Sequence, residues 1–193
     1  MGGEKRYPYE VAYAIAAGIV YDLRPFCERI EIAGSLRRHK DDVGDIEILY
    51  IPVIIEDPDP GDFFATREAD KTHDQIQKLE RNGVLERRLS VTGHQAYGPL
   101  NKLMRHVPSG IPVDLFATTR ENWWNSLVMR TGPKELNQRI VDAALAKGWH
   151  WNVYGAGFTR IEYTESVETH SEAEVFAFVG MPCLDPEHRG RMV

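Results

Sequence analysis

The run VGDIEILYIPVII, residues 43–55, constrains the fold of this chain more than any other stretch. Its β-branched and aromatic content marks a strand, and residues two apart on a strand share a face. Asp45 and Glu47 therefore project together while Ile46 and Ile48 turn to the core. Whatever buries one side of this strand must leave two carboxylates on the other. A second apolar strand, GIPVDLFATT, holds Asp114, where a lone ionised acid is costly unless it is paired or bound to metal. If the two strands are neighbours, three carboxylates converge, an oxygen set that hard Mg²⁺ ions accept with phosphate supplying further ligands. Taken alone, the short DIE motif favours two solvated acids at a sheet edge and an N-capping Asp114.

The residues just upstream shift that balance. GSLRRHKDDVGDIE, residues 34–47, gathers a glycine-serine step, two arginines and the acids within a short span. Gly34 and Ser35 end the strand RIEIAG. A short helix from Leu36 to His39 would aim its free amides and the Ser35 hydroxyl at an anion. Arg37 and Arg38 suit bidentate phosphate contact; as alternatives, Ser35 is only a helix cap and the arginines a solvated charge run.

At 193 residues the chain can build one core, or one domain with a small appended lobe. No apolar run approaches the roughly 20 residues that span a bilayer, so no membrane partner is expected. VAYAIAAGIV, between EKRYPYE and YDLRPF, has the form of an amphipathic helix and not of a signal peptide. Cys27 and Cys183 make no C-x-x-C pair, which fits a reducing, cytoplasmic setting without a zinc site. The net charge of -6 opposes nucleic-acid binding. Nine of the 29 acids, however, sit in EDPDPGD and EYTESVETHSEAE, leaving 20 acids against 23 Lys and Arg elsewhere.

Along the chain, Val11, Ile15, Ile19 and Leu23 predict a helix over residues 8–24 with one buried stripe. EDPDPGD, residues 56–62, is expected to be a loop. A helix is expected over 67–82, capped at Asn82-Gly83, with VLERRLSV as a strand after it. From about residue 121 the pattern turns helical: ENWWNSLVMRTG, then PKELNQRIVDAALAKG starting at Pro133 and stopping at Gly148, then SEAEVFAFVG and a proline-punctuated tail. The expected change is from a mixed sheet to helices with a small ribbon. The four tryptophans suit lobe cores better than base stacking.

These motifs together resemble the polymerase beta-like nucleotidyltransferases, and within them the X family of DNA polymerases. The resemblance rests on Gly34-Ser35 with Arg37-Arg38, on Gly44-Asp45-x-Glu47, on Asp114 in its VDL strand, on RTGPKELNQ at 130–138, and on SEAEVFAFVGMPCLDPEHR. It covers roughly residues 10–193. It implies an α+β fold: a nucleotidyltransferase palm with mixed sheet and flanking helices over 1–119, and a smaller, mainly helical thumb-like lobe over 120–193. The family's lyase domain and fingers have no room here, so a minimal member is implied.

The implied activity is DNA-directed, two-metal nucleotidyl transfer to a primer 3'-hydroxyl, with gap-filling repair as its setting. Asp45, Glu47 and Asp114 would hold two Mg²⁺ ions, with Mn²⁺ as a substitute. Gly34, Ser35, Arg37, Arg38 and Gly44 would surround the triphosphate. Met129, Arg130, Thr131, Gly132 and Asn137 would meet the incoming nucleotide. Gapped or primer-template DNA and a nucleoside triphosphate are the implied partners of a monomer. The resemblance also places a cis peptide at the Gly132-Pro133 step. The alternatives are a template-independent transferase acting on RNA, protein or a small hydroxyl compound, and a non-catalytic nucleotide-binding module. The chain departs from the family pattern at Glu47 (usually Asp), at Pro112 (often Arg), at Val141 (an arginine facing the template), and at Met129-Arg130 (an aromatic pair).

Overall fold

Five strands form a central mixed sheet whose two faces are used differently. The structure is a computed structural model describing residues 5–59, 61–90, 92–152, 154–155, 157–160 and 165–192. In chain order its elements begin with β1 (Tyr7–Pro8), α1 (Tyr9–Leu23), β2 (Cys27–Ile32), α2 (Gly34–Arg37), β3 (Asp42–Val43) and β4 (Ile46–Pro52). Next come β5 (Ile54–Asp59), β6 (Asp62–Asp70), α3 (Lys71–Arg81), β7 (Leu85–Arg87), β8 (Asn101–His106) and β9 (Pro112–Ala117). The C-terminal part holds α4 (Trp123–Thr131), α5 (Lys134–Ala146), β10 (Trp149–Asn152), β11 (Gly157–Arg160), β12 (Ser166–Val167), α6 (Glu172–Val179) and a 3₁₀ segment, Pro186–Met192.

The central sheet has the order β2-β4-β9-β8-β7, parallel between β4 and β9 and antiparallel elsewhere. Alternation along β4 splits its side chains between two cores. Ile46, Ile48 and Tyr50 pack with Val113 and Leu115 against α1 and α3. Leu49, Ile51 and Phe116, on the opposite face, are covered by Trp123 and Leu127 of α4. Arg29 of β2 lies over the rings of Trp123 and Trp124 at 4.4 and 4.3 Å, adding a cation–π contact to that seam. A further core joins Val128, Leu136, Ile140, Trp151, Phe158 and Phe176, closing α4, α5, α6 and the β10-β11-β12 ribbon into a lobe. Trp151 is buried in the lobe core, as expected, whereas Trp123 is buried against the sheet.

The architecture is α+β, as the motif order implies, but several elements differ from the sequence reading. Val11 is exposed; the buried stripe of α1 is Ala12, Ala16, Ile19, Val20 and Leu23, because two alanines let the helix sit close on the sheet. Residues 56–62 are not one loop. β5 and β6 pair antiparallel from Ile54↔Asp70 to Asp59↔Asp62, with a register shift at Pro58/Asp59. The Pro and Asp residues mark an irregularity within a hairpin, where a proline lacks no needed donor; Pro60 lies outside the described residues. α3 accordingly begins at Lys71, with Asp70 capping it through a bond from the His73 amide at 2.9 Å. The Ser35 capping role is also corrected. α2 starts at Gly34 with Ala33 at its N-cap and no side-chain capping bond, so Ser35 stands within the helix.

Candidate active site

Asp45 lies just before β4, Glu47 within it, and Asp114 in β9. The parallel register sets Glu47 opposite Asp114, so both acids leave the sheet on one face. This is the face that α4 covers at Leu49, Ile51 and Phe116, and the acids stand where that cover ends. Burial pushes the Glu47 carboxyl up to about 8, with Asp45 and Asp114 adding to the rise and Arg130 and Arg38 opposing it. Burial also pushes Asp114 up to about 6, against the pull of Arg88 and with a further rise from Asp45. The Glu47 side chain reaches over Gly34. That residue has φ +62°, and any Cβ there would overlap Glu47 Oε2. Glycine is thus required twice, for its backbone and for the space. Gly34→Ala is expected to cost about 1–2 kcal/mol from backbone strain alone and to displace the Glu47 side chain; thermal melting measures the loss.

The resemblance implied a ready set of three metal ligands, and this conformation does not present one. Among the described residues, no group of three or more His, Cys, Asp and Glu is arranged to hold a metal ion. One of the acids is already engaged, since Asp114 Oδ1 accepts a hydrogen bond from Arg88 Nη2 at 2.5 Å. The donor chemistry nevertheless fits a hard divalent cation: three carboxylates stand close enough that Asp45 adds to the burial-driven rise of both Glu47 and Asp114.

Beside Glu47 lies a pocket of 390 Å³ whose walls include Arg38, Met129, Arg130, Gly132, Pro133 and Asn137. Six of the residues singled out by sequence therefore meet in one place. Gly132, at φ +63°, and the cis Gly132-Pro133 bond, as expected, turn the chain from α4 into α5. Arg38 donates to the Thr131 carbonyl from Nη1, and its Nε is buried with no hydrogen-bond partner. Asn137 donates to the Met129 carbonyl at 2.7 Å, leaving its buried amide oxygen without one. Arg130 is not the mobile cation that its side chain alone implies. It stacks on Phe116 at 3.5 Å and donates to the Tyr154 hydroxyl at 2.6 Å.

Arg37 and Thr131 are placed differently from the other residues. Arg37 makes two bonds to Glu172, each at 2.8 Å, and a third to Thr131 Oγ1 at 2.7 Å. Arg189, fully buried, meets the same Glu172 at 2.9 Å. The Thr131 side chain is buried and bonds to the Leu127 carbonyl at 2.6 Å. Arg37 and the Thr131 hydroxyl thus tie α2 to α4 and α6 instead of facing the pocket, which corrects the triphosphate contact expected of Arg37. Gly44 lies in the turn between β3 and Asp45. A larger groove of 470 Å³ between α1 and β2 includes Arg37 and His39 but none of the three acids. Of the three acids Glu47 lines the smaller pocket, which makes that pocket the candidate site.

The DNA polymerase beta thumb family model matches residues 126–190. The chain is X family polymerase-like in fold and thumb. A crystal structure of Leishmania infantum polymerase beta, a ternary P/T complex, superposes with a TM-score of 0.70 at 20% identity, covering 96% of this chain and 77% of that one. No curated protein matches the sequence.

In this X family-like chain the sequence reading missed Arg88, Glu172, Arg189 and Tyr154. Arg88 sits in ERRLS, where strand alternation sends one arginine to each face: Arg87 to Glu80 at 2.7 Å and Arg88 to Asp114. That alternation was the available signal. The raised Glu47 carboxyl also sets a pH dependence. Its folded value of about 8 lies above its ordinary 4.5, so the folded state favours the protonated form. That contribution is fully present below pH 4.5 and lost as pH rises through 8. Asp114, raised to about 6, has mostly titrated by pH 6.5, and the lowered His106 acts in the opposite direction, so the comparison with a Glu47 variant is what isolates the Glu47 contribution. Metal-free protein is therefore expected to melt at lower temperature at pH 8 than at 6.5, and Glu47→Gln to flatten the difference. An unchanged slope in that variant would refute the assignment.

Proposed function

We propose that this chain is a small X family DNA polymerase, transferring a nucleotidyl group from a deoxynucleoside triphosphate to a primer 3'-hydroxyl, with gapped DNA as its repair substrate. Residues 1–119 serve as the palm and 120–193 as the thumb. The observation that carries this reading is the pairing of Glu47 with Asp114 across parallel strands, next to a pocket bearing Arg38, Arg130 and Asn137. Both cysteines are free thiols, which fits the reducing, cytoplasmic setting we propose.

Asp45, Glu47 and Asp114 are the residues that would hold Mg²⁺ or Mn²⁺, and the bound ions would neutralise charge on the transferring phosphate and lower the proton affinity of the attacking hydroxyl. In-line phosphoryl transfer asks the protein mainly for position and countercharge. Arg38 and Arg130 bring two guanidiniums to the pocket, and Lys134 at its rim adds a third cation. Asn137 is fixed by Met129, which leaves its amide oxygen for the base or sugar of the incoming nucleotide. Gly44 directly precedes Asp45, and Ser35 follows Gly34, over which Glu47 reaches; both would border the phosphates. A template-independent transferase is the second reading, favoured by Val141 in the pocket wall, where an arginine would otherwise meet a template strand.

Extension of a labelled primer on gapped duplex, on single strand and on RNA, each with Mg²⁺ and with Mn²⁺, tests the proposal. Template-directed addition on gapped DNA is the expected result. Addition of any nucleotide regardless of template supports the second reading, and no transfer to any acceptor refutes both.

A further inference from the structure

The acids of the site are answered by an arginine that no motif marks. Arg87 pairs with Met104 of β8, so Arg88 comes opposite Leu103, and its amide donates to the Leu103 carbonyl at 3.0 Å. Leu103 pairs with Asp114, and Asp114 with Glu47. Arg88, Leu103, Asp114 and Glu47 thus form one row across the sheet, and a row presents its side chains on one face. Arg88 reaches past Leu103 to place Nη2 on Asp114 Oδ1 at 2.5 Å. The guanidinium is held from behind as well, since Nε donates to the Met104 carbonyl at 3.1 Å and Nη1 to the Leu89 carbonyl at 3.3 Å. The pair is shielded, with side chains 21% and 13% exposed, so solvent screens its charges weakly.

We infer that Arg88 is a positioning residue that fixes Asp114 through Oδ1, leaves Oδ2 for a divalent cation, and sets how tightly the acid cluster binds that cation. The inference rests on the nucleotidyl-transfer reading above. Two effects of removing Arg88 oppose each other. Losing a partner that orients a ligating carboxylate weakens cation binding or activity by about 10–100-fold in known sites. Losing a fixed positive charge a few ångströms from a dication in a shielded site strengthens binding, and at the low effective dielectric of such a site the relief of this repulsion outweighs the lost orientation. Removing Arg88 therefore tightens cation binding while turnover falls, because Asp114 is no longer held in one orientation.

The test follows thermal stabilisation by MgCl₂ and by MnCl₂, at constant ionic strength, in wild type, Asp45→Asn, Arg88→Met and Arg88→Lys, alongside single-nucleotide insertion kinetics. In Arg88→Met the half-saturating cation concentration is expected to fall about tenfold or more, with turnover down about tenfold. Arg88→Lys keeps the charge and loses the three-point hold, so its half-saturation stays within about threefold of wild type while its turnover falls. If Arg88→Met does not fold, the split between binding and turnover in Arg88→Lys decides the matter. An unchanged or higher half-saturating concentration in Arg88→Met, or wild-type turnover in Arg88→Lys, overturns the inference and leaves the proposed function standing. A wild type that no divalent cation stabilises beyond Asp45→Asn overturns both.

Discussion

Asp45→Ala is expected to lower nucleotidyl transfer by about a thousandfold or more, roughly 4 kcal/mol of transition-state stabilisation, while the protein stays folded. Asp45 stands before β4, outside the ladder, and contributes no side chain to either core. Its charge raises the cost of ionising Glu47. Removing it leaves a site with too few oxygen donors for a dication, yet relieves repulsion in the metal-free protein. Stability should therefore change by no more than about 1 kcal/mol. Asp114→Ala should be equally inactive but also less stable, because it strands the Arg88 guanidinium that Asp114 neutralises. Single-turnover kinetics with circular-dichroism melts would show both patterns. Near wild-type turnover in either variant would remove the acids from the chemistry.

The second large effect is one of stability. Glu172 accepts two hydrogen bonds from Arg37 of α2 and forms an ion pair at 2.9 Å with Arg189 of the C-terminal segment. Burial pushes the Glu172 carboxyl up, but Arg37 and Arg189 bring it below its ordinary value, so it stays ionised well into acid. Glu172→Ala leaves two shielded guanidiniums without an anion, one of them fully buried. Breaking a buried pair in this way costs about 3–5 kcal/mol, or about 6–20 °C in melting temperature for a chain of this size. Glu172→Gln keeps the shape and part of the hydrogen bonding and should fall between the two. A drop below about 2 °C in the alanine variant would mean that the contact is decorative.

The chain exposed its sheet and its acids through simple periodicity. Alternation in DIEIL fixed which residues of β4 face the core, and a proline after glycine marked the turn into α5. What it concealed depends on contacts between distant segments. β8, NKLMRH, lacks clean alternation because Lys102 is buried, with its Nζ 3.3 Å from the Tyr50 hydroxyl, while its neighbour Leu103 is only partly covered. Arg37 and Arg38 are adjacent in sequence and look equivalent. Only the arrival of Glu172 from α6 draws one into a structural tie, while the other stays at the pocket. Likewise, nothing near Asp114 in sequence announces Arg88, since the row that joins them crosses strands β8 and β9.

The parallel pairing of β4 with β9 also dictates an order of events during synthesis. Antiparallel neighbours such as β2 and β4 can close soon after they leave the ribosome. Ile46 has to wait for Val113, which is made only after β5, β6, α3, β7 and β8. Until then one edge of the most apolar strand in the chain is without a partner, and such edges are where nascent chains stick to one another. Forming that distant contact requires closing a long loop before any of its packing is gained. A period of edge exposure during synthesis is thus built into the same two strands that carry Glu47 and Asp114.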